Sequence, residues 1–409
     1  MRDGGGRRGR RVAIAVGVGA VTIDAALLGL IAPLLPDIEQ RTGAGDATLG
    51  LALAAYAVPI ALFSLWLGRV ADSMGRRALL MAGLSFVAAG SVLIAISTSI
   101  ELLLAARVIQ GIGSAASWIS GMALVSDTAP PGKRGEALGL ALSATGVGSI
   151  AGPALGGVTA DLVSFSAPFL ICCGVALGLL GAAVVGLPRE TPRSGAAMPA
   201  WPAIVQATRS GVGAWGAAIL FGTACALGVI EVVAPLDLDE RLGLSSATIG
   251  LLFAGSIAVD AALSPFAGRW GDRRGRRGPV AAGLALTALS VALLAVLPGI
   301  GGTAVALGVY GAGFSLAVAA SVPWLDEAFA EESRGLAYGV QNVLYAVGYV
   351  VGPIAGGLLL DHAGAGVAYG VTAGAVAAGA VALTFVSRRP RRRTGPAGQP
   401  RRERAARPR

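Results

Sequence analysis

The sequence predicts an all-α integral membrane protein of twelve transmembrane helices in two six-helix bundles related by a parallel internal repeat. Three observations carry that reading. Of 409 residues 55% are hydrophobic and 13% charged, where an ordinary soluble domain is about a quarter charged. Nearly uncharged stretches of roughly 20 residues, the length that crosses a bilayer core, recur along the chain. One charged phrase is also written twice, GRVADSMGRR from Gly68 and GRWGDRRGRR from Gly268.

The apolar stretches fall near 12–34, 47–68, 78–98, 101–126, 136–160, 165–187, 213–236, 247–270, 279–298, 301–326, 335–360 and 364–386. Backbone in lipid must satisfy its own hydrogen bonds, and runs of this length fit helices far better than barrel strands of about ten alternating residues. The first run follows MRDGGGRRGRR and holds Asp24 in its middle. It is too long for a leader's apolar region and more spans follow it, so it reads as the first helix. The stretch 188–211 mixes Pro, Ser, Gly and Arg without apolar period and reads as a linker. It divides an N-terminal bundle, 1–187, from a C-terminal bundle, 212–386, which is followed by an Arg-rich tail, 387–409.

The net charge of +9 raises nucleic acid as a partner, but the placement of the charges argues against it. With twelve spans both termini share a side, and 29 of the 32 Lys and Arg lie on that side. Arg41 and Arg241 lie opposite, and Arg107 lies within a span. This is the positive-inside pattern, so both termini are expected in the cytoplasm of a cell-membrane protein. The ten arginines of the tail suit anionic lipid headgroups. Cys172, Cys173 and Cys225 lie in spans without metal or disulfide spacing, and the lone His362 has no cluster around it. No metal site is expected. No GxxxxGK[ST] loop occurs, so ATP is not the expected fuel.

The doubled phrase belongs to a longer repeat. ATLGLALAAYAVPIALFSLWLGRVAD from Ala47 lies over ATIGLLFAGSIAVDAALSPFAGRWGD from Ala247 without a gap. At the same offset, Gly148, Gly152, Pro153, Gly156 and Gly157 of span 5 match Gly348, Gly352, Pro353, Gly356 and Gly357 of span 11. Six spans per copy keep the copies in one orientation, the parallel arrangement of two-bundle secondary transporters. These small residues permit close helix approach, and the prolines bend their helices.

Gly68, Asp72, Gly75, Arg76 and Arg77, repeated as Gly268, Asp272, Gly275, Arg276 and Arg277, form a polar clasp suited to gating. The glycines allow tight turns, and the aspartate can accept from free N–H groups or pair with the arginines. This phrase, with ARVIQGIGSAAS in span 4 and the Gly-Pro pattern of span 5, resembles the major facilitator superfamily and its drug/proton antiporter branch. IDAALLGLIAPLLPDIE, GVIEVVAPL and SAPFL are similar to the vesicular monoamine transporters and bacterial multidrug relatives. The chain departs from them in carrying Asn342 and Ser315 where carboxylates stand on spans 11 and 10. The resemblance implies export of small lipophilic, cationic compounds by alternating access. It also implies a proton gradient as the driving force, no cofactor and a monomer.

Acids within a bilayer cost roughly 2.5–3.5 kcal/mol on insertion scales, so Asp24, Glu231 and Asp260 require a reason. A carboxylate that holds either a proton or a cation supplies the minimal chemistry of antiport. Counted from the shared APL sequence, Glu231 lies five residues beyond the level of Asp24. Arg107 is the one base deep in a span; it is expected to pair with Asp24 or control proton release, with Gln110 on its face. Trp118, Phe253, Phe314, Asn342, Tyr345 and Tyr349 are candidates to line an aromatic cavity for a cation. An uptake symporter shares everything except the antiporter-type span 5. An intramembrane enzyme would need a nucleophile with a base or a metal cluster, and neither is present in the sequence.

Overall fold

In the computed structural model the described residues are 3–130, 133–187, 205, 211–327, 329 and 334–386. Every regular element among them is helical. The helices are α1 (Asp3–Leu30), α2 (Leu35–Thr42), α3 (Asp46–Met74), α4 (Arg76–Ala95), α5 (Ile100–Thr128), α6 (Arg134–Leu162) and α7 (Ala167–Gly186). They continue as α8 (Gly211–Leu242), α9 (Ser246–Arg274), α10 (Arg277–Val296), α11 (Gly299–Asp326) and α12 (Arg334–Val386). Among the described residues 11 helical stretches are long and apolar enough to cross a membrane. The last, Gly339–Thr384, runs for 46 residues, about twice a crossing. Gly364 breaks it with φ 78° and ψ 168°, at the boundary the sequence places between 335–360 and 364–386. Apart from Val205 and Gly211, the linker at 188–211 lies outside the described residues, as does the tail at 387–409.

The helix ends repeat as the sequence does. Gly75 and Gly275 separate α3 from α4 and α9 from α10, with φ of 86° and 87°. That region is one L side chains avoid, which is why both copies of the phrase carry glycine there. Gly43 and Gly243 make the corresponding turns at the opposite ends, with φ of 65° and 59°. These pairs define a 75/275 face and a 43/243 face.

Most packing runs within each half of the chain, α4 on α5 and α10 on α11 for example, while α3 lies on α12 and α6 on α9 across the halves. The glycines of α6 and α12 serve both kinds of contact. Gly148, Gly152 and Gly156 receive the backbone of α1 at Thr22, Ala26 and Leu30, and Gly348, Gly352 and Gly356 receive α8 at Phe221, Cys225 and Val229. Gly157 and Gly357 instead face the other half, against Ser246 and Asp46. Completing this exchange, the Pro153 carbonyl abuts Gly250 and the Pro353 carbonyl abuts Gly50. A Cβ at any of these positions would collide with a neighbouring helix or side chain, so the close approach depends on glycine.

Candidate functional site

Two adjoining cavities sit where the halves meet. The first, about 270 Å³, is lined by Asp24 of α1, Tyr56 and Ser64 of α3, Ser114 and Trp118 of α5, and Asn342, Tyr345 and Tyr349 of α12. The second, about 120 Å³, is lined by Glu231 of α8, Asp260 of α9, Tyr310 and Phe314 of α11, and Tyr345. They share Ala25, Leu28, Ser149 and Tyr345. A larger cavity of about 360 Å³ among α8, α10 and α12 is lined by apolar groups such as Trp215, Phe221 and Leu284 and carries no carboxylate.

Asp24 is held by hydroxyls. Tyr56 donates to its Oδ1 at 3.0 Å and Ser114 donates to the same oxygen, with the two hydroxyls 2.8 Å apart. Arg107 does not reach the carboxylate, which corrects the expected ion pair. Its guanidinium carbon lies 4.3 Å from the centroid of the Tyr56 ring, so the tyrosine stands between acid and base. Arg107 Nε donates to the Ala52 carbonyl at 3.3 Å and Nη1 to Gln110 Oε1 at 2.8 Å; Nη2 has no partner. Gln110 in turn donates to Ser91 Oγ at 3.1 Å. Both side chains are buried in the first half and line neither acidic cavity. Spacing put them on one face of the helix, and packing turned that face toward α3 and α4.

Glu231 accepts from the Tyr349 hydroxyl, and Tyr349 stacks on Tyr345 with centroids 6.4 Å apart. The glycine contacts correct its register. They pair α1 with α8 at an offset of 199 residues, so Glu231 lies eight residues beyond the level of Asp24, about 12 Å of rise. The APL count gave five because the motif stands at different levels in the two halves: Pro33 follows Leu30 by three residues, whereas Pro235 follows Val229, the match of Leu30 in the glycine contacts, by six. Asp260 Oδ1 accepts from Ser264 at 3.2 Å, and Ser315 donates to the Asp260 carbonyl at 3.2 Å. Asn342 donates to Ser64 at 3.1 Å, linking the halves. Phe253 packs in a hydrophobic core and not in the site.

At the 43/243 face Ser246 donates to Asp37 at 2.8 Å, and the Ala247 N–H donates to Asp161 at 3.0 Å. First-half carboxylates thus satisfy free donors at the start of α9. Toward the 75/275 face, the repeated phrase is anchored at repeat-equivalent points. Arg76 pairs with Asp127 and Arg276 with Glu327, each at the end of its own half's neighbouring helix, and Arg276 also lies 3.9 Å from Asp272. Gly68 lies within α3, and the side chain of Asp72 lies outside the described residues.

Residues 17–223 and 215–408 each match the Major Facilitator Superfamily model. The chain belongs to the major facilitator superfamily. The MFS-type transporter ppzB of Metarhizium rileyi is 34% identical over 153 residues, 36% of this chain and 32% of that protein. The chain therefore spans about a third of the length of that relative. Multidrug resistance protein 1 of Bacillus subtilis is 25% identical over 347 residues, 82% of this chain and 86% of its own. The solved nucleoside transporter NupG superposes with a TM-score of 0.77 at 12% identity, covering 91% of this chain and 99% of its own, and so shares the fold.

In this superfamily member the sequence named the acids and most of the aromatic walls but missed their partners. Tyr56, Ser114 and Tyr310 carry no spacing signal, since a lone hydroxyl in an apolar span looks like packing. Asp127 and Glu327 had a signal: they stand at the repeat offset, beside the loop.

Proposed function

We propose that this superfamily member is a proton-coupled secondary transporter that exports small lipophilic cations by alternating access. Its frame is twelve spans in two six-helix bundles, with both termini in the cytoplasm and the 43/243 face outside. The observation that carries the reading is Asp24, a carboxylate within a span that lines an aromatic cavity between the halves. Aromatic faces and a poorly solvated acid attract an organic cation. The same acid takes a proton when the cation leaves. Glu231, nearer the outer face and hydrogen-bonded to Tyr349, is suited to exchange protons when the cavity opens outward. The clasp of the repeated phrase, Asp72 included, biases one of the two states. No cofactor is required, because the proton gradient supplies the work.

Everted vesicles with an imposed proton gradient test this reading. Ethidium should accumulate only with the gradient, and Asp24→Asn should abolish that accumulation. Accumulation that ignores both the gradient and Asp24 would reject it.

A further inference from the structure

The two acidic cavities are related by the internal repeat. Tyr56, Ala57, Ile60 and Ser114 line the first, and their counterparts 200 residues on, Ser256, Ile257, Asp260 and Phe314, line the second. Each half thus presents the same helix positions to its own cavity with different chemistry. The first half places its acid on α1, at Asp24. The second places Asp260 on α9, where the first has Ile60, and adds Glu231 on α8.

The second cavity also holds a polar group that nothing in the fold satisfies. The Tyr310 hydroxyl is buried without a hydrogen-bond partner, and its residue is 5% exposed. A buried hydroxyl left unpaired costs stability. Its ring lies 6.0 Å from that of Phe314, centroid to centroid, so the cavity offers aromatic faces, an acid and an unused hydroxyl together. Glu231 is engaged by Tyr349, whereas among the described residues the Asp260 carboxyl is met only by the serine hydroxyls of Ser264, 3.2 Å from Oδ1, and Ser315. Tyr345 lines both cavities, so a molecule long enough to pass it touches both.

We propose that the two cavities are the two ends of one binding site for elongated dications, one cationic centre resting at Asp24 and the other at Asp260 beside the Tyr310 hydroxyl. The proposal rests on the cation-export reading above and narrows it. A monocation is held at the Asp24 end alone, and a second charge engages a pole that a monocation leaves empty.

Ethidium and propidium provide the comparison, because they share a phenanthridinium ring and propidium adds a quaternary ammonium on a short chain. Initial rates for both dyes are measured in everted vesicles carrying the full chain. Wild type should move both. Asp260→Asn should lower the propidium-to-ethidium rate ratio about tenfold, as loss of one charge-assisted contact implies. Asp260→Glu should restore much of the ratio, Tyr310→Phe should lower it in part, and Asp24→Asn should depress both dyes. The proposal is overturned if wild type moves ethidium but not propidium, or if Asp260→Asn leaves the ratio unchanged. Movement of neither dye would reject the cation reading itself, and this inference with it.

Discussion

The hydroxyl of Tyr56 donates to the carboxylate of Asp24 across 3.0 Å, joining α3 to α1. The other side of the same residue supports Arg107, whose guanidinium lies over the ring. Tyr56→Phe should keep the ring and lose the hydrogen bond, lowering cation transport about tenfold. Tyr56→Leu also removes the cation–π contact and should be more damaging. Initial rates at matched membrane levels separate the two, and equal rates would show that the ring contributes nothing.

Glu231→Gln should retain dye binding while flattening the dependence of transport on the proton gradient. Binding is read by fluorescence in detergent and coupling by uptake at graded gradients. A variant that remains as gradient-dependent as wild type would remove Glu231 from coupling.

The orientation of the faces can be tested by accessibility. In a background without native cysteines, Gly45→Cys should react with an impermeant maleimide from outside intact cells, and Gly278→Cys should be protected. Both sites leave room for a side chain: a Cβ at Gly45 meets Asp361 at 3.9 Å, and one at Gly278 has nothing within 4 Å. The reverse pattern would invert the topology.

Gly50→Ala and Gly250→Ala should disrupt the junction between the halves, since each Cβ would run into the facing proline carbonyl. Transport should fall steeply while insertion persists, and labelling at Gly45→Cys should accelerate as the 43/243 face opens. Gly146→Ala, where a Cβ meets nothing within 4 Å, is the control. Normal transport in both junction variants would mean the halves tolerate a wider gap.

Asp127→Asn and Glu327→Gln release Arg76 and Arg276 from partly exposed ion pairs, each worth about 0–1 kcal/mol of stability. Their melting temperatures should stay near wild type, while transport slows as the repeated phrase loses its anchor. Unchanged rates in both would reduce these pairs to surface decoration.

The positions of the helices were legible because a span must be long and apolar, and the repeat because its glycines and loop phrases keep a fixed offset. Asp24, Glu231 and Asp260 were legible because acids are costly in lipid. What stayed hidden was orientation about the helix axis. Spacing placed Gln110 on the face of Arg107 but left open whether that face turned to a cavity or, as found, to Ser91 of α4. The register of Glu231 was hidden for another reason: the proline motif follows the matched glycine contacts three residues sooner in the first half than in the second, so it is a misleading ruler for the helices before it.

The junction at Gly50 and Gly250 meets the opposite half with smooth backbone, so its two surfaces act as a bearing and not as a gear. Rocking one half over the other there withdraws no tooth from a socket. Resistance falls instead on the few polar ties that cross beside it, Ser246 to Asp37, Ala247 to Asp161 and Asn342 to Ser64, which would have to part for the halves to separate.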